Sequence, residues 1–139
     1  MATRSMIGIQ TEDGVRAIYC HFDGYPDGVG ETLKQFYNTP QRVEDLLSFG
    51  HLSSLGPQLP SDKEKNMTDE EKGKIFGWPE GVTKPYHLWR GEELMIDWFS
   101  LPTYFDKDFD HMGEEYRYLF VDGTWVVFKV YQGKLEIMK

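Results

Sequence analysis

Cysteine is almost missing from this chain: Cys20 stands alone, which excludes an internal disulfide framework and any zinc or iron–sulfur site built from several cysteines. A single thiol fits synthesis in a reducing compartment. Basic residues are also scarce. Lys and Arg number 15 against 23 Asp and Glu, giving a formal charge of -8 and a pI near 4.9, so direct nucleic-acid binding and attraction to anionic membranes are disfavoured. Apolar runs never extend beyond a handful of residues, whereas a transmembrane helix needs roughly 20. Residues 1–10 carry Arg4 but no apolar run of signal length, and no secretory leader is expected. Repeats, low-complexity tracts, sustained heptads and high-specificity catalytic motifs are absent.

What is present suits one compact domain: 139 residues, 40% hydrophobic and 15% aromatic. Ser5 to Gln10 and Val15 to Phe22 read as strands joined by Thr11-Glu12-Asp13-Gly14, a tight hairpin. The two-residue period puts Val15, Ala17, Tyr19 and His21 on one face and Ile18, Cys20 and Phe22 on the other. Cys20 is therefore a core residue. After the turn-rich Asp23 to Gly28, Val29, Leu33, Phe36 and Tyr37 fall at helical spacing. Thr39-Pro40 then reads as an N-cap and first helical position, with Val43, Leu46 and Leu47 as a buried stripe and Gly50 as a left-handed C-cap.

From Gly50 to Gly91 the character changes, and residues 57–85 form a loop-rich insertion, with a short helix expected after Thr68. Phe76, Trp78, Tyr86 and Trp89 argue against disorder there, because disordered segments are poor in aromatics. Glu92 to Phe99 leans to strand. Tyr116 to Val121, Asp122-Gly123 and Thr124 to Tyr131 spell a hairpin with a type I′ turn, placing Phe120 opposite Trp125, Tyr118 opposite Val127 and Leu119 opposite Val126. Both of its faces are apolar, so it should be covered on both sides. A last strand runs from Lys134 to Met138. The expected fold is α+β: a curved antiparallel sheet with N- and C-terminal β-hairpins and two short helices packed on it.

Several constellations could carry chemistry. His21-Phe22-Asp23 has two legs of a facial metal triad, but neither His51, His87 nor His111 is singled out as a third ligand by spacing, and no metal or other cofactor is expected. Cys20 alternates inward, away from the electropositive setting a nucleophile needs. Asp23, Asp27 and Glu31 lie near Tyr25, where turn ordering and the helix dipole explain the acids better than acid–base work. Gly24, Gly28 and Gly30 lack the following Lys-Ser or Lys-Thr of a phosphate loop. Two stretches look made for contact. Tyr86, Trp89, Arg90, Glu92 and Glu93 combine residue types enriched at binding hot spots. Asp106, Asp108 and Asp110 are interleaved with Phe105 and Phe109, an array of carboxylates suited to a cationic groove.

The block Thr3-Arg4-Ser5-Met6-Ile7-Gly8-Ile9 and the continuation Ile18 to Pro26 resemble an uncharacterised family of small accessory proteins encoded by tailed bacteriophages and prophages. Gly30 before a Leu-rich helix, Leu52-Ser53-Ser54-Leu55, the Tyr86-His87 to Glu92 segment and Tyr116 to Trp125 are similar to the same family. Phe22 stands where the family more often has Trp, and Leu88-Trp89 interrupts a stretch that is more charged there. The resemblance implies a phage-encoded protein acting in the host bacterial cytoplasm. By analogy it would bind and inhibit a host protein with a basic groove, an anti-defence or anti-CRISPR-like factor rather than an enzyme. The alternative is a small-ligand or nucleotide site, or an enzyme, around His21, Asp23, Tyr25 and Arg90. Oligomeric state is left open.

Overall fold

The fold, taken from a computed structural model, is described for residues 2–73 and 77–138; Phe76, one of the rings expected to pin the insertion, lies outside them. Local turn chemistry sets the two hairpins. β1 (Ser5–Thr11) and β2 (Gly14–Cys20) pair antiparallel with Thr11 opposite Gly14. β6 (Tyr116–Val121) and β7 (Thr124–Lys129) do the same around Asp122 and Gly123, whose φ values of 50° and 77° are those of a type I′ turn. Phe120 faces Trp125, Tyr118 faces Val127 and Leu119 faces Val126, the register read from the sequence. β8 (Lys134–Ile137) continues the ladder on β7.

The sheet is mixed, where antiparallel pairing throughout was expected. β1 runs parallel to β6, from Ser5 beside Tyr116 to Ile9 beside Phe120. β3 (Leu52–Ser54) also meets β2 in parallel, at Cys20. Alternation in a strand specifies which face is buried but not which neighbour it takes, and the long connection between the hairpins supplies the crossover a parallel pair needs. With β4 (Lys84–Pro85), the open order is β4-β3-β2-β1-β6-β7-β8, and β5 (Asp97–Phe99) pairs β2 off this path. Of the Glu92–Phe99 stretch only these last three residues are strand.

A π-helical turn over Pro26–Gly30 leads into α1 (Glu31–Phe36), and α2 (Pro40–Leu47) follows. The Thr39 hydroxyl accepts the Arg42 N–H at 3.3 Å, and Gly50 takes the left-handed conformation at φ 73°. Val29, Leu33, Tyr37, Val43, Leu46 and Leu47 are buried, whereas Phe36, expected in the same stripe, is 45% exposed. Tyr37 takes the inward place, its hydroxyl donating to the Gly56 carbonyl at 2.6 Å. The helices cover the sheet face bearing Ile7, Ile18, Tyr118 and Trp125. The opposite face, with Met6, Ala17, Leu119 and Val126, lies under Phe99, Tyr104 and the rings of Phe105 and Phe109. The insertion holds two one-turn helices, α3 (Asp62–Lys65) and α4 (Asp69–Lys72), each with a capping box, Ser61 with Glu64 and Thr68 with Glu71. α5 (Tyr86–Arg90) and α6 (Leu101–Tyr104) complete the elements that shape the surface. Among the described residues no helix is long and apolar enough to cross a membrane.

Candidate functional site

Pro85 delivers the chain in an extended conformation into α5, and Gly91, at φ 69°, ends it after five residues. That left-handed turn folds Glu92 back toward the helix. His87 donates from Nδ1 to the Glu92 carbonyl at 2.7 Å, since a carbonyl can only accept. Arg90 lies 3.5 Å from the Glu92 carboxylate, with both side chains more than half exposed, so this pair adds little stability. The Arg90 guanidinium also covers two rings, 4.6 Å from the centre of Trp89 and 5.1 Å from that of Tyr86. Its charge is thus presented on an aromatic platform.

Against one side of α5 is a cleft of about 460 Å³. Tyr86, His87, Arg90, Glu92 and Glu93 supply one wall; Tyr19 and His51 lie at its back, and Met95 and Met112 close it. Met112 belongs to the acidic 106–115 loop, so that loop reaches the cleft through Met112, while Asp106, Asp108 and Asp110 are not among its lining residues. Leu94, Met95 and Met112 are 42%, 50% and 37% exposed, leaving apolar surface beside the carboxylates.

The back wall is held by imidazoles. The Tyr19 N–H donates to His51 Nδ1 at 2.9 Å, which leaves the proton of neutral His51 on Nε2, 3.4 Å from Asp97 Oδ2. The same carboxylate oxygen lies 2.8 Å from His111 Nε2. Asp97 therefore ties β5 both to His51 and to the acidic loop. Burial lowers the His51 pKa, the His111 charge lowers it further, and Asp97 opposes both. His51 thus has Nδ1 taken by the Tyr19 N–H and Nε2 turned toward Asp97.

The acidic loop is built around a buried cation. Arg117, 1% exposed, donates to Glu114 at 3.0 Å, to the carbonyls of Tyr104 and Asp106 at 3.1 and 2.9 Å, and to that of Phe109. Glu114 in turn accepts the Met112 N–H at 2.8 Å. Asp106 accepts the Asp108 N–H and Asp110 accepts the Gly113 N–H, each at 2.9 Å, while all three aspartates stay exposed. The Asp106 and Asp110 carboxylates order the loop and still face water.

His21, Asp23 and Tyr25 lie elsewhere. His21 Nδ1 is 2.7 Å from the Tyr19 hydroxyl, and its ring meets Phe22 edge-on. Asp23, at φ 59°, accepts the Val29 N–H through its carbonyl and the Tyr25 hydroxyl, at 3.3 Å, through its carboxylate. This nearby acid raises the Tyr25 pKa. Asp23 borders a separate depression with Leu55, Pro79 and Lys84. His21, Asp23 and Arg90 share no cleft. Cys20 is fully buried, its thiol pushed up to about 12 chiefly by burial. Among the described residues no three His, Cys, Asp or Glu side chains are grouped to hold a metal ion.

Sequence reasoning missed Arg117, Asp97 and the two methionines, and weighed His51 only as a candidate third metal ligand. Arg117 left a trace: on an alternating strand it shares a face with Leu119, so a guanidinium sits in an apolar row. The pairing of His51 with Asp97 left none, being made by the fold alone. Comparison with protein-family models, with curated proteins and with solved structures finds no match for this chain.

Proposed function

We propose that this chain is a recognition protein: a phage-encoded accessory factor that binds and inhibits a host protein through an acidic and aromatic surface. The reading is carried by one observation, that Glu92, Glu93 and Met95 share a cleft with Met112 of the loop bearing Asp106, Asp108 and Asp110. Exposed carboxylates around apolar side chains suit a partner with a basic groove, since complementary charge steers encounter while the apolar atoms supply contact area. The inverted stoichiometry of charge in the whole chain, -8, acts in the same direction at longer range. A binding role rather than turnover is favoured by the buried, protonated thiol of Cys20, which is no nucleophile in that setting. The phage origin, the anti-defence role and action in the host cytoplasm are supported by the resemblance of residues 3–9, 18–26 and 116–125 to the accessory family.

The test is capture of host proteins on the immobilised chain at low salt, followed by a salt titration. A bacterial protein retained at low salt and released as the Debye length shrinks from about 30 Å to about 8 Å is the expected result. Replacing Glu92 and Glu93 with Gln together with Asp106, Asp108 and Asp110 with Asn should abolish retention. Retention of no protein at low salt, or retention unaffected by the five replacements, overturns the reading.

A further inference from the structure

On the other side of α5 lies a cleft of opposite character, about 650 Å³ in volume. Lys72, Lys84 and Arg90 line it with Trp78 and Trp89, against the single carboxylate of Asp69 among the described residues. In a chain with a formal charge of -8 this is a local reversal of sign. The cations are held in place rather than loosely gathered. Lys72 donates to the Leu88 carbonyl. Lys84 Nζ stands 3.6 Å from the centre of the Trp89 ring, whose other cationic neighbour is Arg90 at 4.6 Å. Neither Lys72 nor Lys84 forms an ion pair among the described residues, and Arg90 has only the exposed contact to Glu92.

Two positive groups are thus packed around one indole with little to neutralise them. Burial and the neighbouring Arg90 lower the Lys84 pKa, so an anion placed between the two would favour the charged form of Lys84. Trp78 adds a different surface. Its Nε1 donates to the Val82 carbonyl at 3.2 Å, which fixes the ring, and it has no ring or cation partner among the described residues. A fixed indole with no stacking partner among the described residues, beside a cluster of cations, offers a planar apolar wall next to a site for negative charge.

We propose that this cleft binds a nucleoside phosphate, with Lys72, Lys84 and Arg90 holding the phosphates and Trp78 stacking on the base. The volume suits the ligand, since small-molecule sites span roughly 300 to 1,000 Å³. Cations alone would serve for inorganic phosphate, and it is Trp78 that argues for a planar ring attached to it. The site shares Arg90 alone with the acidic cleft, and none of Glu92, Glu93, Met95 or Met112 lines it, so its failure would leave the host-partner reading standing.

The test is titration of the whole chain with ATP, inorganic tripolyphosphate and adenosine at low ionic strength, read by indole fluorescence and by calorimetry. ATP should quench the fluorescence saturably and bind about tenfold more tightly than either of the other two. Arg90→Gln, at an exposed position that leaves the fold intact, should weaken ATP by about tenfold. Trp78→Leu should bring ATP down to the affinity of tripolyphosphate, whereas Glu92→Gln should leave ATP binding unchanged or tighter. No saturable binding of ATP, equal binding of tripolyphosphate by the native chain, or full ATP affinity in the Arg90→Gln variant would each overturn the proposal.

Discussion

The two clefts flanking α5 share Arg90 and little else. One is walled by Glu92, Glu93 and two methionines and braced from behind by a histidine–carboxylate cluster. The other is walled by three cations and two indoles contributed by the insertion and by α5 itself. The difference shows how a five-residue helix can sort charge. Glycine at position 91 reverses the chain, so Glu92 and Glu93 are carried to one side while Trp89 stays stacked with Lys84 on the other. Net charge alone says nothing of this division, because the sum hides a local positive patch inside an acidic molecule.

The heaviest blow to that contrast is Arg117→Met. It would leave Glu114 buried without its cationic partner and free the carbonyls of Tyr104, Asp106 and Phe109, and a broken buried pair costs about 3–5 kcal/mol. Urea denaturation should show the loss, and the acidic cleft should lose its partner while ATP binding, measured below the unfolding transition, survives. Loss of ATP binding in that folded variant would mean that the clefts are not independent. A finer cut is the Glu92→Gln and Glu93→Gln pair, expected to weaken host-partner binding by about tenfold and to flatten its salt dependence. Surface plasmon resonance across a salt series measures both.

Protonation probes the brace itself. His51 has a folded pKa below its ordinary 6.5, so the unfolded chain binds the proton better. The stabilisation is complete above the unfolded value and is lost as pH falls below it toward the lowered folded one. Thermal unfolding between about pH 7.5 and pH 5.5 should therefore show a falling Tm, with a smaller fall in His51→Gln. Equal slopes for the two proteins would remove His51 from the explanation. The smallest effect is expected for Asp108→Asn, since Asp108 joins the loop by donating its N–H to Asp106 rather than through its carboxylate. Its stability should stay within about 0.5 kcal/mol of the native chain by urea denaturation.

The sequence spoke clearly where the physics is local. Asp122-Gly123 and the alternation on either side announce a hairpin and its register, and Thr39-Pro40 announces a helix start, because each signal lies within a few residues of its effect. Pairing of β1 with β6 could not be read in this way: both strands are apolar on both faces, and such a pattern leaves the neighbour and its direction open. The same limit applies to the clefts. The composition of Tyr86 to Glu93 marked a candidate contact surface, but Lys72, Trp78 and Lys84 sit in a segment without periodicity, where nothing in the order of residues tells which side chains converge. Phe36 misled for a subtler reason, since Leu33 and Tyr37, four apart, took the inward positions and left it outside.

The parallel seam between β1 and β6 has a consequence for the integrity of the chain. Everything from β2 to β5 is looped out between two strands that are zipped directly to each other. A protease nick between α3 and α4 would yield one piece carrying β1, β2, β3 and the two main helices and another carrying β4 to β8. Main-chain bonds across the seam would still hold them together, so two separately expressed halves should reassemble into the native sheet, a split protein by construction.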